Sequence, residues 1–222
     1  MKLFLDSANL KDIETALERG FVHGITTNPS LLAKEPKSDF IKHIDMIIRL
    51  LEVDKRQLPL SVEVFAATSS EMIVQAKWII DELAYGALNI KVPIGWDELK
   101  VIRMLNRKTI KVNCTCCFTE EQCIIAADAG ASYVSIFYNR LKDIQGNPLS
   151  VIANVRNIFD KAGHKTEIIV GSIRNKEDIL MSQLYGAHIV TASVKILEES
   201  AHHPGTDKSV EGFKKDFAEW IK

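Results

Sequence analysis

Leu88-Asn89-Ile90-Lys91-Val92-Pro93, an amphipathic stretch from Asp97 to Asn106, and then Thr109-Ile110-Lys111-Val112-Asn113-Cys114-Thr115 together decide the fold. Short runs rich in branched apolar residues flank a segment of helical periodicity, which predicts a strand, a crossover helix and a second strand. The same alternation continues in both directions. Eight β-rich runs can be counted: Leu3 to Asp6, Val22 to Thr27, Leu60 to Phe65, Leu88 to Val92, Thr109 to Thr115, Tyr133 to Ile136, Glu167 to Gly171 and His188 to Thr191. Eight parallel strands joined by helices make an α/β fold, a single (β/α)8 TIM barrel.

Helices are expected at Asp39 to Leu51, Ser69 to Leu83, Asp97 to Asn106, Glu120 to Ala129, Leu149 to Lys161 and Lys176 to Tyr185. Two of them open on a capping signal, Thr68 with Glu71 and Thr119 with Gln122, in which each side chain answers the other's orphan amide. Leu58-Pro59 and Gly146-Asn147-Pro148 read as connections between elements, so residues 1–222 are expected to form one domain. After the eighth run comes His202-His203-Pro204-Gly205-Thr206-Asp207, then an additional C-terminal helix over about residues 207–221. Val210, Phe213, Phe217, Trp220 and Ile221 share one face of it. Periodicity leaves open whether that face packs on its own barrel or on a neighbouring subunit.

Composition narrows the function. The chain has 222 residues, 46% hydrophobic and 26% charged, with a formal net charge of -1, so it carries enough apolar surface for a core and no basic stripe for nucleic acid. The acidic Asp6 interrupts the N-terminal run before a signal sequence could form, and no apolar run is long enough to span a membrane, so a cytoplasmic location is expected. Cys114, Cys116, Cys117 and Cys123 have neither a disulfide-framework nor a zinc-site spacing and read as reduced packing thiols. His23, His43, His164 and His188 have no partner at metal-ligand spacing, and no glycine run forms a nucleotide-binding motif, so neither metal nor cofactor is expected.

Polar residues interrupt strands that should be apolar. Asp6 closes the first run, Thr27-Asn28 the second, Glu63 lies in the third, Lys91 in the fourth, Asn113 and Thr115 in the fifth, Ser135 in the sixth, and Ser172 follows the seventh. Catalytic groups of a barrel project from the carboxyl ends of its strands, which is where these fall. An ammonium buried at Lys91 without a partner tends to release its proton and become a nucleophile; alternatively, Lys91 snorkels or pairs with Glu63. Alternation places Asn113 and Thr115 on one face, with Cys114 and Cys116 on the other, towards the helices. Arg140 and Arg174, the latter beside Gly171-Ser172 at a helix start, offer phosphate ligands, although surface arginines are common.

Leu5-Asp6-Ser7-Ala8, Thr26-Thr27-Asn28-Pro29-Ser30, Val62-Glu63-Val64, Lys91-Val92-Pro93 and Asn113-Cys114-Thr115 resemble, in order, the transaldolase family. The resemblance continues through Ser135-Ile136-Phe137-Tyr138-Asn139-Arg140, Gly171-Ser172-Ile173-Arg174-Asn175 and His203-Pro204-Gly205-Thr206-Asp207-Lys208, and the length is similar to the compact subfamily that includes fructose-6-phosphate aldolases. It implies that Lys91 forms a Schiff base with a ketose phosphate, that Asp6 moves the proton of the C4 hydroxyl, and that Glu63 and Thr115 hold a water. It implies further that Asn28, Asn113 and Ser135 bind the dihydroxyacetone unit, and that Arg140, Ser172 and Arg174 grip phosphate. It implies sugar phosphates as partners, no cofactor, and a homo-oligomer, a pentamer or decamer.

Glu63 and Phe137 resemble the transaldolases, where the aldolases carry Gln and Tyr, so transfer to an acceptor is expected rather than release of free dihydroxyacetone. Asn139 departs towards the aldolases, and Tyr138 places a phenol one position from theirs, where strand alternation would turn it away. Thr191-Ala192-Ser193 lacks the family's proline, and Cys116-Cys117 stands where a more aliphatic pair is usual. A phosphosugar-binding barrel without chemistry is the reading from another class.

Overall fold

The eight runs form eight parallel strands in the computed structural model, which describes residues 2–221. They are β1 (Lys2–Asp6), β2 (Ile25–Thr26), β3 (Leu60–Glu63), β4 (Leu88–Pro93), β5 (Lys111–Cys117), β6 (Tyr133–Phe137), β7 (Glu167–Gly171) and β8 (Ile189–Ala192). Each pairs with its sequence neighbour, and β8 closes on β1 through Leu3 opposite Val190 and Leu5 opposite Ala192. The expected (β/α)8 barrel is therefore present.

Around it run α1 (Leu10–Glu18), α2 (Pro29–Leu32), α3 (Phe40–Asp54), α4 (Ser69–Leu83), α5 (Glu98–Asn106), α6 (Glu120–Asp128), α7 (Tyr138–Asp143), α8 (Pro148–Ala162), α9 (Lys176–Leu184), α10 (Val194–Ala201) and α11 (Pro204–Trp220). Both capping boxes form, with Thr68 Oγ1 accepting from Glu71 N–H and Thr119 Oγ1 from Gln122 N–H. The short helices α1, α2, α7 and α10 were not anticipated. Helix α11 begins at Pro204, inside the segment expected to precede it, because proline at the first helical position brings the required φ and the His203 side chain accepts from Gly205 N–H.

β3 ends at Glu63 rather than Phe65, and two other strands differ more from expectation. β2 shrinks from Val22–Thr27 to Ile25–Thr26, and Gly24 just before it lies so close to the Phe4 ring that a Cβ would sit 2.6 Å from Cζ. β5 starts at Lys111 because Thr109 is left-handed, with φ +60. It then runs to Cys117 through a bulge, where Cys116 has φ +62 and the register to β6 shifts between Cys114 and Cys117.

That bulge corrects the parity of the cysteines. Cys117, rather than Cys116, joins Cys114 and Cys123 in the apolar layer between strands and helices, and Cys116 is half-buried. Burial pushes the Cys116 thiol up, and its charged neighbours are Glu63 and Lys91.

The barrel interior is divided by chemistry. A small apolar cluster of Phe4, Tyr133, Ile169 and Ile189 fills its lower part. Towards the carboxyl ends, buried polar side chains bond one another: Ser135 Oγ donates to Asn113 Oδ1 at 2.7 Å, and Asn113 Nδ2 donates to Ser61 Oγ at 3.3 Å. Such groups are tolerated in an interior when they satisfy each other, and here they support the residues at the mouth.

Candidate active site

Register assembles the centre of the site. Glu63 lies directly opposite Lys91 across β3 and β4, and Asn113 opposite Lys91 across β4 and β5. Lys91 is buried, yet its Nζ lies 2.9 Å from Glu63 Oε2 and donates to the Thr27 carbonyl at 2.9 Å. The ammonium is therefore partnered, as in the alternative that pairs it with Glu63. An unpaired buried ammonium costs several kcal/mol, roughly, whereas a paired and hydrogen-bonded one can be held in place. Attack by this amine requires its proton to leave first, and a carboxylate already stands beside it.

Asp6, at the end of β1, shares a cavity of about 100 Å³ with Lys91, Thr115 and Ser135. Thr26 Oγ1 donates to Asp6 Oδ1 at 2.7 Å and lies 2.6 Å from Thr191 Oγ1. Burial raises the Asp6 carboxyl above the ordinary carboxylate range, while the Lys91 charge and the Thr26 hydroxyl pull it part of the way back. A carboxyl held high is suited to exchanging a proton with a substrate hydroxyl. Thr26 and Thr191 were not singled out from the sequence, although their parity matches that of Asp6 and Ser135, and both line the cavity.

Thr115 Oγ1 is buried without a hydrogen-bond partner among the described residues, so it can bond a water or a substrate oxygen. Asn28 caps α2: its Oδ1 accepts from Leu31 N–H at 3.0 Å, which leaves the Nδ2 group for the cavity that Asn28 also lines. Asn113 is held by Ser61 and Ser135, one bond to each end of its amide.

Farther out, Arg140 and Ser172 line the same cavity, and the Arg140 guanidinium stacks 4.8 Å over the Phe137 ring. Arg174 is not among the lining residues. Its guanidinium forms a two-point pair with Asp143 at the end of α7, one bond being 2.7 Å, and this holds the Asp143 carboxyl below its usual range. Phe137 presents a ring without a hydroxyl to the cavity, whereas Tyr138 opens α7, is buried in the outer core and carries Lys142 over its ring. Among the described residues no cluster of three or more His, Cys, Asp or Glu could hold a metal ion, and no helix is long and apolar enough to cross a membrane.

The fold alone is shared with solved structures of low identity. A doubly substituted flavocytochrome b2 with sulfite bound superposes with a TM-score of 0.62 at 18% identity, over 87% of this chain and 57% of that one. Thiamine phosphate pyrophosphorylase from Pyrococcus furiosus does so with a TM-score of 0.63 at 12% identity, over 86% of this chain and 85% of that one. Sequence relatives are much nearer. A probable transaldolase of Syntrophobacter fumaroxidans is 40% identical across 98% of this chain and 96% of its own length, and one of Desulfotalea psychrophila is 40% identical across 100% and 99%. The family model described as Transaldolase/Fructose-6-phosphate aldolase matches residues 3–221. With a lysine, two carboxylates and an arginine converging at the mouth of its barrel, this chain belongs to the transaldolase/fructose-6-phosphate aldolase family.

Proposed function

We propose that this protein is a transaldolase that moves a dihydroxyacetone unit from fructose 6-phosphate or sedoheptulose 7-phosphate to an aldose phosphate through a Schiff base on Lys91. The observation that carries the reading is the pairing of Lys91 Nζ with Glu63 Oε2 at 2.9 Å, in a site whose cavity also holds Asp6. Lys91, once deprotonated, adds to the ketose carbonyl, and water leaves as the iminium forms. Asp6 takes the C4 hydroxyl proton, the C3–C4 bond breaks, its electron pair passes into the iminium to give an enamine, and the aldehyde departs. The enamine carbon then adds to the acceptor aldehyde, Asp6 returns the proton to the new hydroxyl, and water adds to the regenerated iminium, releasing the product ketose and freeing the Lys91 amine.

Glu63 and the unpartnered Thr115 hydroxyl are suited to holding the water that enters and leaves. Asn28, Asn113 and Ser135 hold the three-carbon unit, and Arg140 and Ser172 bind phosphate at the outer end. Arg174 joins them by leaving Asp143, since a phosphate dianion is the stronger partner for a guanidinium. Transfer is favoured over release because Phe137 offers the cavity no acidic hydroxyl, and Tyr138 is packed away from it. The free thiols, three of them buried, suit a reducing cytoplasm, and the substrates suit the pentose phosphate reactions of carbohydrate metabolism.

Incubation with fructose 6-phosphate, with and without erythrose 4-phosphate, tests the proposal. Sedoheptulose 7-phosphate is expected only with the acceptor. Free dihydroxyacetone without acceptor would make the protein an aldolase instead. Borohydride in the presence of fructose 6-phosphate is expected to modify Lys91 covalently, and Lys91→Ala to lose both trapping and turnover; an unmodified lysine would leave only a phosphosugar-binding barrel.

A further inference from the structure

The segments that follow β6 and β7, which carry Arg140 and Ser172, are tied together by a buried polar pair that the chemistry above does not use. Asn139 donates its Nδ2 to the Ser172 carbonyl at 2.8 Å and to Asp178 Oδ2 at 2.6 Å, and its backbone N–H reaches the same carbonyl at 3.3 Å. Asp178 Oδ2 also accepts from Arg174 N–H at 3.0 Å, while the Asp178 N–H bonds the Asn175 side chain at 2.8 Å. Asn139 and Asp178 are both buried, on α7 and in the first turn of α9.

This arrangement is costly unless it holds something. A carboxylate removed from water needs several donors, and an amide needs its partners in place. Ser172, moreover, has φ +59, a left-handed conformation that a residue with a side chain keeps only when its surroundings impose it. The two bonds from Asn139 fix the Ser172 peptide plane from one side. The bond from Arg174 N–H to Asp178 fixes the backbone two residues later, so residues 172–174 are clamped between α7 and α9. Because Asn139 directly precedes Arg140, the same bonds set the spacing between Arg140 and Ser172.

We propose that Asn139 and Asp178 are a positioning pair that holds the phosphate-binding groups in register and thereby sets the preference for phosphorylated over unphosphorylated ketoses. This rests on the functional reading above.

The test is the ratio of kcat/KM for fructose 6-phosphate to that for fructose, with erythrose 4-phosphate as acceptor throughout, in wild type, Asn139→Ala, Asp178→Ala and Asp178→Asn. The alanine variants are expected to lower the ratio about tenfold or more, as loss of buried hydrogen bonds at a recognition loop should. Asp178→Asn keeps an oxygen that can accept both donors and is expected to stay within about threefold of wild type. A purely structural role would reduce both substrates together, so an unchanged ratio in the alanine variants overturns the proposal, whatever happens to the thermal midpoint. If those variants do not fold, Asn139→Ser, too short to bridge both partners, is judged by the same ratio. Wild-type protein that turns over neither ketose would overturn the functional reading instead.

Discussion

Asp6 combines a structural cost with a chemical use. Its carboxyl, ordinarily at about 3.8, is raised in the folded protein, chiefly by burial. The folded state therefore holds this proton more tightly than the unfolded chain does. The corresponding stability is complete below about pH 3.8 and is lost as pH rises through the folded value. Near neutrality this raised proton affinity counts against stability, and Asp6→Asn, which can still accept from Thr26, is expected to raise the thermal midpoint at about pH 7. That gain should shrink steadily as the melts are repeated towards pH ~4. The same variant should lose roughly 10²- to 10⁴-fold in kcat. A variant less stable than wild type at neutral pH would mean that attraction to Lys91 outweighs burial.

At the scale of elements, the bulge in β5 is the feature that local sequence gave no sign of. Left-handed positions are normally announced by glycine or asparagine, yet here they are Thr109 and Cys116, so neither the late start of the strand nor its kink could be foreseen. Cys116→Gly is expected to lie within about 1 kcal/mol of wild type in urea denaturation. Cys116→Val should lose about 1–3 kcal/mol, since a β-branched residue resists positive φ. The reverse order would show that β5 runs straight in solution.

Long elements with caps or branched apolar runs were legible: α4 begins and ends where its capping box and periodicity placed it, and so does β7. Helices α2 and α7 were not, because four and six residues close behind a strand leave no room for a period to emerge. Most interior polar residues were legible as interruptions of apolar strands, though Thr26 and Thr191 were not, and of their partners only Glu63 for Lys91 stood among the alternatives. The pairing of Glu63 with Lys91 depends on register between strands, and the turn of Arg174 towards Asp143 depends on the placement of α7.

The whole molecule carries one unfinished surface. Helix α11 spans 17 residues with none buried, and Phe213, Phe217 and Trp220 are 70%, 60% and 80% exposed, the last two stacked on each other. A contiguous aromatic face of this kind calls for a covering surface. Phe65 and Trp78, exposed beside Phe40, form a second such region on the barrel. We propose that the protein is a homo-oligomer, a pentamer or a pair of pentamers, in which α11 packs on a neighbouring subunit. Sedimentation of wild type is expected to give the larger species, and Phe213→Ser with Trp220→Ser to shift the distribution towards monomer. Monomeric wild type at micromolar concentration would rule this assembly out.

The apolar cluster of Phe4, Tyr133, Ile169 and Ile189 gives the barrel a floor, with the Phe4 ring pressed against Gly24. For the proposed transfer, the water released on imine formation, the aldehyde that departs and the aldehyde that arrives then share the doorway rimmed by Arg140 and Ser172. Two aldehydes cannot pass in it at once. Departure then precedes arrival, and in between the three-carbon fragment on Lys91 waits at the inner end of the vessel with the doorway empty.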